Sequence, residues 1–271
     1  MAPIKDNKNQ NVSFTDTIAL NPNWTIYADT TYKSQVTEAI EVRNIKNAKA
    51  FEDDTTTRRS ILGKPLVQDV FWKVRIPLNA DLVSLSGLQD GTFYIDDKKV
   101  ELNNNRLAIP EGGKHLFITA GKSGNTGQIN KPLLFSCNRK SQSDLKKWSA
   151  FGLEQYTGFL LYENEFSITQ PLKNVQLDLG QVSYMAEVWV NDSLIGSRLW
   201  APFTFDITKY ARTGKNKVRI KVGNLYLNES TVNVDWNIFI HGKNRSTHGM
   251  NQPDRKDFDA GLLGPVQIKL N

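Results

Sequence analysis

Two carboxylates two residues apart, Glu163 and Glu165, are the first residues in this sequence that could do chemistry. Cleavage of a glycosidic bond needs two carboxyls about 5–5.5 Å apart to retain configuration, or about 6.5–9.5 Å to invert it. On a strand, residues i and i+2 share one face with Cα atoms roughly 6.7 Å apart. The base rate of exposed carboxylates favours a solvated strand face for this pair, so no catalytic residue is assigned. Asp254, Asp257 and Asp259 offer hard oxygen ligands that suit Ca²⁺, but not at EF-hand spacing. No cofactor is expected, and a structural Ca²⁺ is the one metal left open. The lone Cys137 has His115 and His241 elsewhere in the chain, with no local nucleophile motif around it. A buried structural thiol is its expected state. No G-x-S-x-G elbow, phosphate-cradling G-x-x-x-x-G-K-[ST] loop or H-E-x-x-H helix is present.

A different chemistry suits the aromatic residues. Sugars are held by ring faces against their C–H patches, with polar groups beside them for the hydroxyls. Arg198 and Trp200 precede Pro202, Tyr226 and Asn228 follow a strand, and Asp235, Trp236 and His241 lie in a long stretch after it. We expect a carbohydrate site formed by Arg198, Trp200, Tyr226, Asp235, Trp236 and His241, in loops at one end of a sandwich. The competing expectation is that Trp200 and Trp236 pack the sandwich end or dock a catalytic domain.

The elements that must position these residues are strands. FWKVRI (71–76), VQLDL (175–179) and VRIKV (218–222) alternate apolar with polar residues. Such period-two alternation marks half-buried antiparallel sheet. Turn residues at Asp90-Gly91, Gly112-Gly113, Asn191-Asp192 and Gly214 to Asn216 separate the runs. Helical periodicity is scarce: one turn is expected at 144–148, and another at 207–211 begun by a capping Asp206. Residues 23–27 and 36–42 read as strands, the second with a helical alternative. Residues 46–59 read as a loop or linker, and the first dozen residues as a fraying end.

The chain has 271 residues, 39% hydrophobic and 23% charged, with a mean hydropathy of -0.44. That is a soluble globular balance and enough chain for about two domains. One cysteine excludes an intrachain disulfide and a Cys-rich zinc site. No run approaches the roughly 18 apolar residues of a membrane span, and the first ten residues lack a signal peptide's apolar core. The formal net charge is +6 and the pI about 9.2. The basic runs are short, and Lys215, Lys217, Arg219 and Lys221 alternate as the wet face of a strand. Without basic clustering, nucleic acid is not an expected partner.

An internal repeat organises the middle of the chain. From Leu160 to Asn224 the order is strand, strand, the hairpin AEVWVND (186–192), a short strand, a Gly-containing turn and a strand. From Phe71 to Thr119 the same order recurs, with GTFYIDDKKV (91–100) as the hairpin. The expected fold is all-β, with two tandem β-sandwiches, the first shorter and more degenerate. The domains are drawn as an N-terminal segment over 1–57, a degenerate sandwich over 58–137 and a fuller one over 138–271.

The later unit resembles the jelly-roll, galactose-binding-like domains of glycoside hydrolases. YMAEVWVNDSLIG (184–196) resembles their A-x-V-W-V-N-G-x-x-V-G hairpin, with Asp192 in place of the usual glycine. PFTFDIT (202–208) and GKNKVRIKV (214–222) resemble P-F-x-F-D-I-T and G-x-N-x-L-x-V-x-V. Trp148, Gly152, Tyr156, Gly158, Tyr162 and Phe166 resemble the opening strand, and AGLLGPV (260–266) the closing one. These segments are shared by glycoside hydrolase family 2 and the α-L-rhamnosidases of family 106. The stretch from Arg59 looks most like the C-terminal region of the rhamnosidases. The resemblance implies a non-catalytic carbohydrate-binding or scaffolding region of an enzyme acting on plant or algal polysaccharide. Its partners would be carbohydrate and a catalytic barrel, for which about 250 residues are typical. The two sandwiches leave no room for one here. It also implies a periplasmic or extracellular setting, to which the sequons at Asn11, Asn23, Asn228 and Asn244 add little. The alternative is a structural or adhesive sandwich with no sugar affinity. Fold alone does not choose between the two.

Overall fold

The computed structural model describes residues 14–28, 31–43, 59–86, 88, 91–121, 127–153, 156–169, 173–224 and 259–271. Among them every regular element is a strand except one 3-10 turn, Trp148–Phe151. The expected turn at 144–148 therefore begins at its last residue.

The chain opens with β1 (Asp16–Ala19) and β2 (Trp24–Ala28). Then come β3 (Tyr32–Val36), β4 (Glu38–Val42), β5 (Arg59–Ser60), β6 (Phe71–Arg75), β7 (Ala80–Ser84) and β8 (Gly91–Ile95). The hairpin partner β9 (Lys98–Val100), β10 (Arg106–Ala108), β11 (His115–Ala120) and β12 (Leu133–Cys137) complete the earlier sandwich. The later one takes up again with β13 (Ser141–Ser143), β14 (Phe159–Ile168), β15 (Val175–Asp178), β16 (Gln181–Ser183) and β17 (Met185–Val190). It ends with β18 (Ser193–Arg198), β19 (Thr204–Asp206), β20 (Gly214–Gly223), β21 (Gly261–Gly264) and β22 (Gln267–Leu270).

Two compact units result, each a β-sandwich. One comprises the described residues within Met1–Asp29, Lys140–Ala150 and Glu154–Asn271, the other those within Thr30–Arg139 and Phe151–Leu153. The first has a six-stranded sheet, β13-β2-β14-β20-β17-β18, and a four-stranded sheet, β1-β22-β15-β19. The second has β5-β4-β6-β11-β8-β9 and β3-β12-β7-β10. Apart from the host's additional two-stranded pair β16-β21, the two orders are the same strand for strand. The second unit thus interrupts the first between its second and third strands, so we call them insert and host.

This nesting changes the domain boundaries. Residues 1–57 do not form a segment of their own: β1 and β2 pair with β22 and β14 of the host, whereas β3 and β4 pair with β12 and β6 of the insert. Their partners lie far along the chain, where local pattern carries no signal. The 36–42 run, which allowed a helix, is strand β4. The linker at 46–59 falls largely outside the described residues, as does the opening dozen.

The alternation in the sequence is the alternation of burial. Ala186, Val188 and Val190 are fully buried, as are Val218, Ile220 and Val222 on the neighbouring β20. Burying each such side chain contributes roughly 1.5–3 kcal/mol. The insert departs from alternation on β11, where Leu116, Phe117, Ile118 and Thr119 are all buried. A segment around 61–70 accounts for this. It bonds to 127–129 (Leu66 N to Gly127 O, 2.8 Å; Gly63 N to Ile129 O, 2.9 Å), and its Val67 carbonyl accepts from Thr119 Oγ1 at 3.1 Å.

Candidate functional site

The β17–β18 hairpin of the host carries the site from the inside out. Its turn, Asn191-Asp192, needs positive φ at both residues and has it, 48° and 65°. Asn191 is then fixed by a network rather than left for a ligand. Its Oδ1 accepts from Lys217 N (3.1 Å), and its Nδ2 donates to Tyr210 O and Asn216 Oδ1, both at 2.9 Å. The buried Asn216 donates in turn to Arg212 O (2.7 Å) and Gly214 O (2.9 Å). Both asparagines of the hairpin and turn motifs are therefore structural. So is Asp206, whose Oδ1 accepts from Thr208 N at 3.0 Å and holds a single turn rather than a helix.

Arg198 ends β18 and anchors the loop that follows. Its Nε donates to Thr204 O at 2.8 Å, and its guanidinium lies 5.6 Å from the Phe205 ring centroid. At the loop's other end Phe203 is buried, and its carbonyl accepts from Leu179 N at 3.0 Å. Between these anchors Leu199 and Trp200 project, 60% and 74% exposed. Arg198 is thus drawn into holding the loop, while Trp200 is the ring it presents. Leu199 is an addition to the expected set, since a leucine beside a tryptophan carries no signal of exposure.

Strand pairing fixes the end of the sandwich to which this loop belongs. Arg198 lies opposite Ala186, Met185 opposite Gly223, and Gly223 opposite Phe159. Asn224 follows at once, and its side chain clasps Gly158 N (2.9 Å) and Tyr156 O (2.6 Å). The described chain resumes at Asp259, and Gly261 pairs with Ser183, two residues before Met185. The loop of Trp200 therefore shares one end of the host with Asn224 and with Gly261, described residues on either side of the 225–258 stretch. Tyr226, Asn228, Asp235, Trp236 and His241 fall within that stretch, outside the described residues.

The carboxylates on β14 are not poised as an acid and base. Glu163 accepts from Tyr27 OH at 2.7 Å and lies 3.4 Å from Lys217 Nζ and 4.0 Å from Lys140 Nζ. Burial pushes its carboxyl up, but the Tyr27 hydroxyl and the two ammonium groups outweigh that and hold it below its ordinary range. A general acid needs the opposite shift. Glu165 pairs with Lys215 at 2.7 Å on the open surface. Asp259 takes up both backbone and hydroxyl donors of Ser149, capping the 3-10 turn. Asp254 and Asp257 lie outside the described residues. Among the described residues no three His, Cys, Asp or Glu side chains gather as a metal site, and no helix is long and apolar enough to cross a membrane. The Cys137 thiol is buried, which pushes it up to about 12 despite a lowering contact from Tyr32. It is no nucleophile at neutral pH. His115 instead faces Asp96 at 3.7 Å.

The fold and this loop define an all-β sandwich protein with an aromatic ring raised on an anchored loop. No known family profile matches the chain. It is 29% identical over 168 residues to a protein of Formosa agariphila named "Putative beta-glucuronidase", covering 51% of this chain and 14% of that one. A second protein of that organism with the same name is 27% identical over 194 residues, covering 70% of this chain and 23% of the relative. The chain therefore spans less than a quarter of either relative. Among solved structures, a rhamnosidase from Novosphingobium sp. PP1Y is 17% identical over 78% of this chain and 23% of its own, with a TM-score of 0.36. A beta-glucuronidase from an uncultured Clostridium sp. is 14% identical over 97% of this chain and 30% of its own, with a TM-score of 0.37. Superpositions this loose carry no functional weight. The chain is similar to part of larger glycoside hydrolases.

Proposed function

We propose that this chain is a non-catalytic carbohydrate-binding or scaffolding region of a glycoside hydrolase, with its glycan site at the Trp200 end of the host sandwich. The observation that carries the reading is Trp200 itself, 74% exposed on a loop tied down at Arg198 and Phe203. A large ring left in water on a loop anchored at both ends adds nothing to the core, and a ligand that stacks on it would account for its position. The relatives' name supports a carbohydrate-active parent protein. Within that class, the sequence motifs favour a rhamnosidase-like parent and the relatives' name a glucuronidase-like one.

Calorimetry with rhamnose-, galactose- and glucuronate-containing oligosaccharides tests this. Binding in the mM to µM range is expected, about −4 to −8 kcal/mol, because a short sugar covers little area. Trp200→Ala should abolish it while circular dichroism stays unchanged. Parent-like binding by Trp200→Ala would sink the loop-end site. Release of sugar from aryl glycosides by the chain alone would overturn the non-catalytic assignment.

A further inference from the structure

The outward face of the host's six-stranded sheet is built differently from an ordinary solvated face. Five cations lie on it: Lys140, Lys215, Lys217, Arg219 and Lys221, against the carboxylates of Glu163, Glu165 and Glu187. Three of the five are set on aromatic rings. Lys140 Nζ is 3.9 Å from the Tyr27 ring centroid, the Arg219 guanidinium 4.9 Å from Trp189, and Lys221 Nζ 4.7 Å from Phe159. A cation over a ring is attracted to it without losing its charge. Arg219 occupies the centre of the face, with Glu163 opposite it on β14 and Trp189 opposite on β17. Its Nε is buried without a hydrogen-bond partner among the described residues.

The insert shows what this face becomes when it is packed over. The positions equivalent to Arg219 and Lys221 are Phe117 and Thr119, both buried, with Thr119 bonded to the covering 61–70 segment. In the host the same positions are cationic, and Lys217 and Lys215 beside them are 48% and 69% exposed at their side chains. The host face thus carries more positive than negative charge, with its long side chains held down by rings. Such held cations have less freedom to lose when an anion binds.

We propose that this face binds acidic polysaccharide, with carboxylate or sulfate groups of the glycan meeting Arg219 and Lys221. It is a second glycan site, on the sheet face rather than on the Trp200 loop, and it rests on the carbohydrate reading above. Two residues apart on β20, these cations stand roughly 6.7 Å from one another along the strand. Successive acidic groups of one extended chain can therefore meet both. The excess of charge also attracts a polyanion from a distance, an effect that salt screens.

The test uses the full 271-residue chain in affinity electrophoresis through gels containing polygalacturonate, dextran sulfate or neutral dextran, with duplex DNA as competitor. Retardation by polygalacturonate, dextran sulfate or both is expected, weakening with added NaCl, with none by neutral dextran. The two polymers distinguish carboxylate from sulfate recognition. Arg219→Gln with Lys221→Gln should weaken binding about tenfold or more through loss of two charge-assisted contacts. Arg219→Lys should retain most of it. Lys98→Gln with Lys99→Gln, on the insert's β9, is the charge-matched control and should change affinity less than about twofold. If the Arg219 variant fails to fold, Lys215→Gln with Lys217→Gln reads the same face from exposed positions and should weaken binding in the same direction. Equal loss from the control pair, equal affinity for DNA, or no retardation by either acidic polymer would overturn the proposal. Loss of acidic-polymer binding in Trp200→Ala would also overturn it, placing all binding at the loop end and leaving the earlier reading intact.

Discussion

Host and insert share a strand order and one further detail, the lock on the hairpin that each sheet needs. In the host, Asn191 N donates to Lys217 O (2.9 Å) and Lys217 N to Asn191 Oδ1 (3.1 Å). In the insert, Asp96 N donates to His115 O (2.8 Å) and His115 N to Asp96 Oδ1 (3.0 Å). Asp96 and Asn191 are both at positive φ, 54° and 48°. A short polar side chain tolerates that backbone and satisfies the next strand's N–H at once. Away from this lock the copies diverge. The host adds Asn216 behind the turn, where the insert has the exposed Lys114. The host leaves its outer face charged, whereas the insert buries Phe117 and Thr119 there. What backbone geometry demands is kept, and what it leaves open differs.

The largest expected effect comes from a feature specific to the host. Gly180 has φ +64°, and a Cβ there would lie 2.5 Å from the backbone C and O of Gly264. Gly180→Ala should cost about 2–5 kcal/mol, the sum of left-handed strain and overpacking against atoms that cannot rotate away. Gly214→Ala, at φ +89° with nothing within 4 Å of the added carbon, should cost only about 1–2 kcal/mol. Urea unfolding followed by tryptophan fluorescence measures both. Equal losses would mean that the close approach of Gly180 to Gly264 constrains nothing.

Next in size is the buried amide. Asn216 makes four hydrogen bonds, to Arg212 O, Gly214 O, Arg212 N and Asn191 Nδ2. Asn216→Leu should destabilise by about 3 kcal/mol, since it strands several buried partners at once. Lys114→Leu at the matching insert position should change stability by less than about 0.5 kcal/mol. Similar losses at both positions would show that the insert hairpin depends on position 114 as heavily as the host depends on 216.

Much of this contrast between host and insert is legible in the amino-acid sequence. Alternation marks the inward faces of β17 and β20 residue by residue, and the repeat from Phe71 to Thr119 matches the later unit element by element. Turn chemistry places Asn191-Asp192 at positive φ. The nesting is not legible, because β1 to β4 are short and their partners, Phe71 for Val42 and Leu270 for Asp16 among them, are chosen by hydrogen bonds that leave no local pattern. The covered face of the insert is equally hidden, since Phe117 in a run of apolar residues reads the same whether one face is buried or both. Of the six expected site residues, Trp200 can be found as an aromatic two residues before a proline. Arg198 reads as a ligand group because an arginine's partner, here the Thr204 carbonyl, cannot be seen in sequence.

The smallest expected effect separates the two outer faces by pH. In the host, Glu163 is held below the ordinary carboxylate range: burial raises it, and Tyr27 with Lys217 and Lys140 overcomes the burial. A carboxyl depressed by folding adds stability above its unfolded value near 4.3, and loses it as pH falls through the lower folded value. Tyr27 moves the other way, up to about 12, through burial first and then the Glu163 hydrogen bond. The stability linked to Tyr27 is whole below about 10 and lost as pH rises towards that folded value. The insert has Lys73 at the position of Glu163, so it has no such acid limb there. Glu163→Gln should therefore flatten the host's loss of stability below about pH 4.3. Tyr27→Phe should shift the acid limb towards higher pH, because the remaining carboxylate loses its best donor. Urea midpoints measured at a series of pH values, with the host and insert transitions resolved, test both. An acid limb unchanged in Glu163→Gln would mean that the Tyr27–Glu163–Lys217 set contributes nothing beyond its geometry.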